Sequence, residues 1–316
     1  MSIAGSPVAE ASRLAVTGAS GLIGSAVCPA LAAAGHEVWR LVRREPVPGC
    51  REVRWSPEGP RNLAPLEGVG GVVHLAGANV AGGRWSAGRK RRIRESRIVG
   101  TRSLAEGLAR LERPPKVLVA ASAVGYYGHR GDEVLDEKAA AGEGFLPQVV
   151  AGWEEALSPA RAAGVRCVSL RLGMVLTPAG GALGSMLLPF RLGLGGRVGT
   201  GRQWVSWVAI DDVTGAILHA LERPDLEGPM NVVAPEPVTH AELARELGRA
   251  LGRPTPFALP AWCARLALGE MAGPLLLEST RATPASLLES GYAFRHPRLG
   301  GALRALLSRP ETGAGR

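Results

Sequence analysis

The chain has 316 residues, 46% of them hydrophobic and 21% charged, the profile of an ordinary soluble globular protein able to bury one large core or two modest ones. Every apolar run is broken by Arg, Glu, Gly or Pro before it reaches the length of a membrane span, and Met1 to Ser12 lack the basic and apolar segments of a secretory signal. Four scattered cysteines (Cys28, Cys50, Cys167, Cys263) form no C-x-x-C pair, which argues against a disulfide framework and against a zinc site, so the reading is a cytoplasmic protein with no membrane partner.

Residues 1–12 read as a disordered tail. Leu14-Ala15-Val16 is then a short apolar strand leading into Thr17-Gly18-Ala19-Ser20-Gly21-Leu22-Ile23-Gly24, and Leu22 to Ala34 is helix-compatible. Strand, glycine turn and helix in that order are what a dinucleotide-binding βα unit needs, here with G-x-x-G-x-x-G spacing rather than the commoner G-x-G-x-x-G. One glycine permits the tight turn, one lets backbone approach a diphosphate, and one lets helix pack on strand. The start of the helix offers free N–H groups and positive dipole to phosphate. Thr17, Gly18, Ser20, Gly21, Leu22, Ile23 and Gly24 are therefore candidate cofactor contacts.

Gly35 is a natural helix stop, and Glu37 to Val42 reads as the second strand. An acidic residue at its end would hold a ribose 2′-hydroxyl and favour NAD. Arg43-Arg44 stand there instead, and guanidinium groups suit a 2′-phosphate, so NADP is favoured over NAD, with Glu45 the one argument the other way. Val53 to Trp55 is a short third strand, followed by a turn over Pro57-Glu58-Gly59-Pro60. Gly71 to Gly77 is the next strand, and the small residues of Leu75-Ala76-Gly77 let backbone run beside a cofactor. His74, alone in an apolar strand, reads as a packed core residue. Arg84, beside Trp85, is a candidate phosphate ligand.

Much of the net charge of +9 sits between Arg84 and Arg102. Either this is an anion patch or it is the solvated face of a helix with Ile93, Ile98 and Leu104 turned inward; with Trp85 the only nearby aromatic, nucleic acid is disfavoured. Val117 to Ala121 is another buried strand and runs into Ser122-Ala123-Val124-Gly125-Tyr126-Tyr127-Gly128; Arg166 to Leu172 is a further one. The carboxyl ends of such strands face the ligand crevice in a doubly wound sheet.

With these pieces in order, the chain resembles the extended short-chain dehydrogenase/reductases, the NAD(P)-dependent epimerase/dehydratase group. The match runs through T-G-A-S-G-L-I-G, His74-Leu75-Ala76-Gly77, the Ser122 to Gly128 segment, Arg171 to Leu176 and Trp207 to Val213, covering most of Leu14 to Val233. Trp153-Glu154, Met186 to Gly196 and Gly291-Tyr292-Ala293-Phe294 point to its epimerase family protein branch, similar to cell-division inhibitors, with a small C-terminal domain of unknown role. The resemblance implies an α/β fold: a Rossmann-like doubly wound parallel sheet, a bound nicotinamide cofactor, and a substrate cleft under a smaller, mainly helical C-terminal part. The corresponding boundaries are 13–235 for the cofactor domain, with a substrate-facing insertion at 175–205, and 236–310 for the C-terminal part.

Enzymes of the wider group use a Ser/Thr together with Tyr and Lys at Y-x-x-x-K, four residues apart so that both share one helix face. There the lysine lowers the tyrosine pKa for proton transfer. No Y-x-x-x-K occurs in this chain; the pair falls on Gln148 or Val149 and on Gly152 or a neighbour, and the usual hydroxyl position falls on Ala123, one residue after Ser122. The remaining catalytic candidates are Tyr127, Tyr126 and Ser122. Either a tyrosine donates a proton with one of Asp132, Glu133, Asp136 or Glu137 as partner, or Tyr127 packs under its loop and the acids face water.

Thr177 to Arg202 reads as a glycine-rich loop system, with Gln203, Trp204 and Trp207 either lining a pocket or packing. Asp211-Asp212 are expected to cap the next helix, and Thr239 with Glu242 forms a capping-box pattern. Pro254-Thr255-Pro256 marks a boundary before a helical end over 260–306. Three functional readings follow: an NADP-dependent oxidoreductase or epimerase acting on an unknown small molecule, a non-catalytic NADP(H)-binding regulator, and an anion-binding module using Arg89 to Arg102. A homo-oligomer is compatible with all three.

Overall fold

The computed structural model describes residues 12–57 and 63–308. The expected tail, Ser12 apart, and Glu58 to Pro60 of the expected turn lie outside the described residues. The first half of the chain forms β1 (Arg13–Thr17), α1 (Gly24–Ala33), β2 (Glu37–Val42), β3 (Glu52–Arg54), β4 (Gly71–His74), α2 (Ala87–Ala109) and β5 (Val117–Ala123). Next come β6 (Val134–Leu135), α3 (Phe145–Glu155), α4 (Ser158–Ala162), β7 (Arg166–Leu172), β8 (Met174–Leu176), α5 (Gly181–Arg191) and β9 (Gly196–Val198). The remainder is β10 (Trp204–Val205), β11 (Trp207–Ala209), α6 (Ile210–Glu222), β12 (Gly228–Val232), β13 (Val238–Thr239), α7 (His240–Ala250), β14 (Phe257–Leu259), α8 (Ala261–Leu268), β15 (Arg281–Ala282), α9 (Ala285–Glu289) and α10 (Leu299–Leu307).

Seven strands make one parallel sheet in the order β12-β7-β5-β4-β1-β2-β3. The central strands β1, β4 and β5 are mainly apolar on both faces because helices cover both. On β1, Leu14 and Val16 pack with Val27 and Leu31 of α1, while Ala15 faces the other way, towards Leu104 and Leu108 of α2. From β1 the chain proceeds outward through β2 and β3, then crosses back to β4 on the other flank. The order reverses between β1 and β4, and a crevice opens there at the carboxyl ends of the strands. This is the doubly wound, Rossmann-like architecture.

The basic helix α2 begins at Ser86, whose hydroxyl accepts the Arg89 N–H at 3.2 Å. It turns Ile93 and Leu104 fully inward with Ile98 half-buried, while Arg91, Arg92, Arg94 and Arg102 are exposed. The capping box of α7 is formed: Glu242 N–H donates to Thr239 Oγ1 at 3.3 Å, and Thr239 N–H donates to the Glu242 carboxylate at 2.8 Å. Two local expectations are corrected. Thr177 to Arg202 is not mainly loop, because Leu183, Leu187 and Phe190 recur at helical spacing and are buried, forming α5. Asp211 and Asp212 do not cap α6, whose N-cap is Ala209. Buried Asp212 instead accepts the N–H groups of Arg295 (2.7 Å) and His296 (3.0 Å), and Asp211 pairs with His296 at 3.1 Å, so these acids tether the C-terminal segment. That segment is also stitched in by strand pairing, β15 to β6 and β14 to β9.

His74 is fully buried and joins four elements. The Thr17 hydroxyl accepts the N–H groups of Leu75 and Ala76 at 3.1 and 3.2 Å, so its own proton goes to His74 Nδ1 at 2.7 Å. Nε2 then carries the ring proton and donates to Thr101 Oγ1 at 3.0 Å, which also receives Trp153 Nε1–H at 2.8 Å. Burial pushes the imidazole down to about 4, so the native ring is neutral at physiological pH. The unfolded ring, at about 6.5, takes up a proton first as pH falls, so the stability associated with neutral His74 is intact above about 6.5 and is lost between about 6.5 and 4. The loss amounts to about 3 kcal/mol across that window. Denaturant unfolding across this range is expected to show a steeper fall for the wild type than for His74→Gln, which cannot titrate; parallel curves would contradict the assignment.

Candidate functional site

A crevice of about 1300 Å³ lies at the carboxyl ends of β1, β2 and β4. Its wall includes Gly18, Ser20 and Gly21 of the glycine turn, Arg43 and Arg44 past β2, and Leu75, Ala76 and Gly77 past β4. Gly18 has φ +67°, and a Cβ there would stand 2.8 to 2.9 Å from the backbone of Leu75 and Ala76, so only glycine lets the turn and the β4 loop approach this closely. The turn closes through Gly21 N–H to Gly18 O at 2.9 Å, and α1 starts at Ile23 with no side-chain cap. In its first turn the Ser25 and Ala26 N–H groups already donate to Gly21 O at 2.9 Å and Ile23 O at 3.0 Å.

Five of the expected cofactor residues are not on this wall. Thr17 lies behind it, holding the N–H groups of Leu75 and Ala76. Gly24 is the packing glycine, since a Cβ would come within 2.2 Å of Gly18 O. Leu22 reaches Gly180 and Gly181, and Ile23 packs on the core. Arg84 turns away altogether and donates to the carbonyls of Ala267, at 3.0 Å, and Leu266 of α8.

The two arginines past β2 differ. Arg44 forms a bidentate pair with Glu52 at 2.7 and 2.8 Å, and Arg40 approaches the same carboxylate at 3.3 Å. The Arg44 hydrogen bonds, with a further one from Val47 N–H, lower the Glu52 pKa. Arg43 is exposed and pairs with no carboxylate among the described residues. Glu45 is engaged by Arg54 rather than turned to the crevice floor. Glu52 was not singled out from sequence; it stands opposite Arg40 in the β2–β3 register, which only the pairing reveals.

A second polar assembly sits under the carboxyl ends of β5 and β7. Arg171, 3% exposed, donates to both oxygens of Glu154 at 2.9 and 2.8 Å, and Ser122 Oγ donates to the same carboxylate at 2.6 Å. The third nitrogen of Arg171 donates to the Tyr127 hydroxyl at 3.0 Å, which lies 2.8 Å from Asn231 Oδ1 and 2.9 Å from the Asp136 carbonyl. Burial opposes the Arg171 charge, yet Glu154 outweighs it and the pKa is raised. Burial raises the Tyr127 pKa, with Arg171 only partly offsetting it. Ser122 and Tyr127 are thus members of a buried scaffold rather than groups presented to a ligand.

The neighbouring acids are engaged as well. Asp132 receives Trp204 Nε1–H at 2.7 Å, Glu133 pairs with Arg130, Asp136 accepts the Lys138 N–H, and Glu137 accepts the Asn231 and Ser286 N–H groups. Gln203 and Trp207 are buried, with donors committed to backbone carbonyls. Where the family pair would stand, Gln148 is exposed, Val149 is buried, and Gly152 lies so close to α2 that a Cβ would be 2.8 Å from Ile98. Tyr126 remains. It is half-buried at the end of β5, the Arg171 guanidinium lies 3.6 Å over its ring, and its hydroxyl has no hydrogen-bond partner among the described residues. No three His, Cys, Asp or Glu side chains converge to hold a metal among the described residues.

Comparison with known proteins fits this geometry. Residues 14–233 match the NAD dependent epimerase/dehydratase family, and residues 259–306 match a domain of unknown function, DUF1731. The epimerase family protein Mb2239 of Mycobacterium bovis is 45% identical over 298 residues, 94% of this chain and 98% of that protein. Human epimerase family protein SDR39U1 is 38% identical over 301 residues, 94% of this chain and all of that protein. The crystal structure of human SDR39U1 (isoform 2) with NADPH superposes with a TM-score of 0.86 at 36% identity, covering 93% of this chain and 98% of that one. The chain belongs to the NAD dependent epimerase/dehydratase family and carries the DUF1731 domain behind it.

Proposed function

We propose that the chain is an NADP(H)-binding oxidoreductase or epimerase acting on a small molecule, with Arg43 as its main 2′-phosphate contact. The observation that carries this reading is the end of β2, where, among the described residues, Arg43 lines the crevice with no carboxylate partner while Glu52 and Glu45 are held by Arg44 and Arg54. Support also comes from the glycine turn that a Cβ would fill and from the relative crystallised with NADPH. The diphosphate would rest on the Gly18 to Gly21 turn and the start of α1, and the backbone of Leu75 to Gly77 would flank it. A bound nicotinamide would supply hydride transfer. Tyr126 is the phenol best placed for proton transfer, because Tyr127 and Ser122 are committed to the Arg171–Glu154 scaffold.

The second reading is a non-catalytic NADP(H) sensor, and one observation favours it. The positions of the family's hydroxyl, tyrosine and lysine hold Ala123, Gln148 or Val149, and Gly152, none of which can move a proton. The anion-module reading is weakened by the helix itself: Arg89 donates to the Asn79 carbonyl, Lys90 pairs with Glu270, and Arg97 stacks on Trp153.

Fluorescence titration is expected to show NADPH binding far tighter than NADH. Arg43→Ala should weaken NADPH by about tenfold or more, consistent with loss of a charge-assisted contact, while leaving NADH nearly unchanged. Arg44→Ala, acting on an arginine already held by Glu52, should weaken it less. No binding of either nucleotide would sink the proposal.

A screen of aldehydes, ketones and nucleotide sugars, followed by NADPH absorbance, separates enzyme from sensor. Turnover lost in Tyr126→Phe with NADPH affinity retained supports the enzyme; tight binding with no turnover on any substrate favours the sensor. Tyr127→Phe is expected to act on stability instead, costing about 1–3 kcal/mol in denaturant unfolding, because it strips a buried partner from Arg171 and Asn231.

A further inference from the structure

Eleven large apolar side chains are exposed among the described residues, and seven of them lie in two short stretches of chain. Leu188, Leu192 and Leu194 stand at the end of α5 and the turn after it; Phe257, Leu259, Trp262 and Leu266 stand on β14 and α8. All seven are between 46% and 69% exposed. The two stretches adjoin. β14 pairs with β9, Phe257 beside Gly196 and Leu259 beside Val198, and Gly199 N–H donates to Leu259 O at 2.8 Å. Every residue of β14 is exposed, and among the described residues its only strand partner is β9. Leu188 and Leu192 are one turn apart on their helix, as are Trp262 and Leu266 on theirs, so each pair shares a face.

The charges on these two stretches of chain are of one sign. Residues 186–200 and 251–268 contain Arg191, Arg197, Arg253 and Arg265 and no Asp or Glu. All four arginines are exposed, and none pairs with a carboxylate among the described residues. Some exposed arginines elsewhere do find acids, as Arg51 meets Glu37, Arg223 meets Asp225 and Arg249 meets Glu246, whereas Arg91, Arg92, Arg94 and Arg102 of α2 pair with none among the described residues and have no comparable cluster of exposed apolar side chains beside them. An apolar patch with an arginine rim and no acid has a definite complement.

We infer that this face docks the protein peripherally on an anionic lipid surface. Leucine, phenylalanine and tryptophan side chains enter the headgroup boundary, while arginines reach the lipid phosphates with their stems along the apolar surface. A second copy of the chain fits poorly, because a two-fold contact sets the same four cations against themselves. Nucleic acid fits poorly too, because aliphatic side chains outnumber stacking ones. The contact is peripheral rather than spanning, as no helix among the described residues is long and apolar enough to cross a membrane. The expectation of no membrane partner rested on the lack of a span and on sequence runs, which do not reveal residues brought together by β9 and β14.

The test is co-sedimentation of the full chain with phosphatidylcholine vesicles and with vesicles in which about one lipid in three is phosphatidylglycerol, a surface that attracts basic residues. Binding to the anionic vesicles is expected, with little to the neutral ones and progressive loss as salt rises. Leu194→Glu with Trp262→Glu should abolish it, and Arg197→Gln with Arg265→Gln should lower affinity roughly fivefold per arginine. Thermal melting of each variant confirms that it folds. No binding to anionic vesicles, or binding untouched by these substitutions, would overturn the inference. So would a dimer in sedimentation velocity that the glutamate variants split while vesicles leave the wild type in solution.

Discussion

The buried pair of Arg171 and Glu154 is the interaction on which the middle of this molecule depends. It joins β7 to α3, takes in Ser122 from β5, and reaches through Tyr127 and Asn231 to β12 and the backbone of Leu135 and Thr283. A guanidinium desolvated to this degree is tolerable only with both carboxylate oxygens and its remaining donor satisfied, as they are here. Removing one partner from such a pair typically costs about 3–5 kcal/mol, because the other charge is left stranded. The same residues explain an apparent shortage of catalytic groups. The serine and one of the tyrosines that sequence offers as acid or base are consumed in holding this assembly together.

Much of the fold was legible because it rests on local signals. Glu37 to Val42 and Arg166 to Leu172 could be read residue by residue as strands, and the Thr239–Glu242 capping box as a helix start, since alternation and capping depend on near neighbours. His74 could be assigned to the core for the same reason. What escaped depends on contacts between distant residues. Thr17 and Gly24 belong to the glycine motif yet stand behind the wall, because their work is to hold β1, α1 and the β4 loop together. Arg84 sits near the crevice in sequence, but α8, some 180 residues later, offers it carbonyls. Asp212 looked like a cap because the residues it binds, Arg295 and His296, are invisible from its own neighbourhood.

Charge accounting then separates two sets of arginines. Arg44, Arg166 and Arg171 are all held by carboxylates or rows of backbone carbonyls, and each braces neighbouring elements. Arg43 and the four arginines around β9 and β14 have no such partner among the described residues. An unpaired exposed arginine is unremarkable singly, since water solvates it well. It gains meaning where its surroundings are built for an anion, as beside the Gly18 turn, or where apolar side chains around it are left equally uncovered, as beside Trp262. On the proposals made above the two faces would serve different partners: a small anionic ligand at the sheet's carboxyl edge, and an anionic lipid surface at the face that the end of α5 shares with β14 and α8. The β9–β14 pairing ties that second face to the segment that follows β7, β8 and α5, so it is built from both the end of α5 and the stretch that leads into the domain of unknown function.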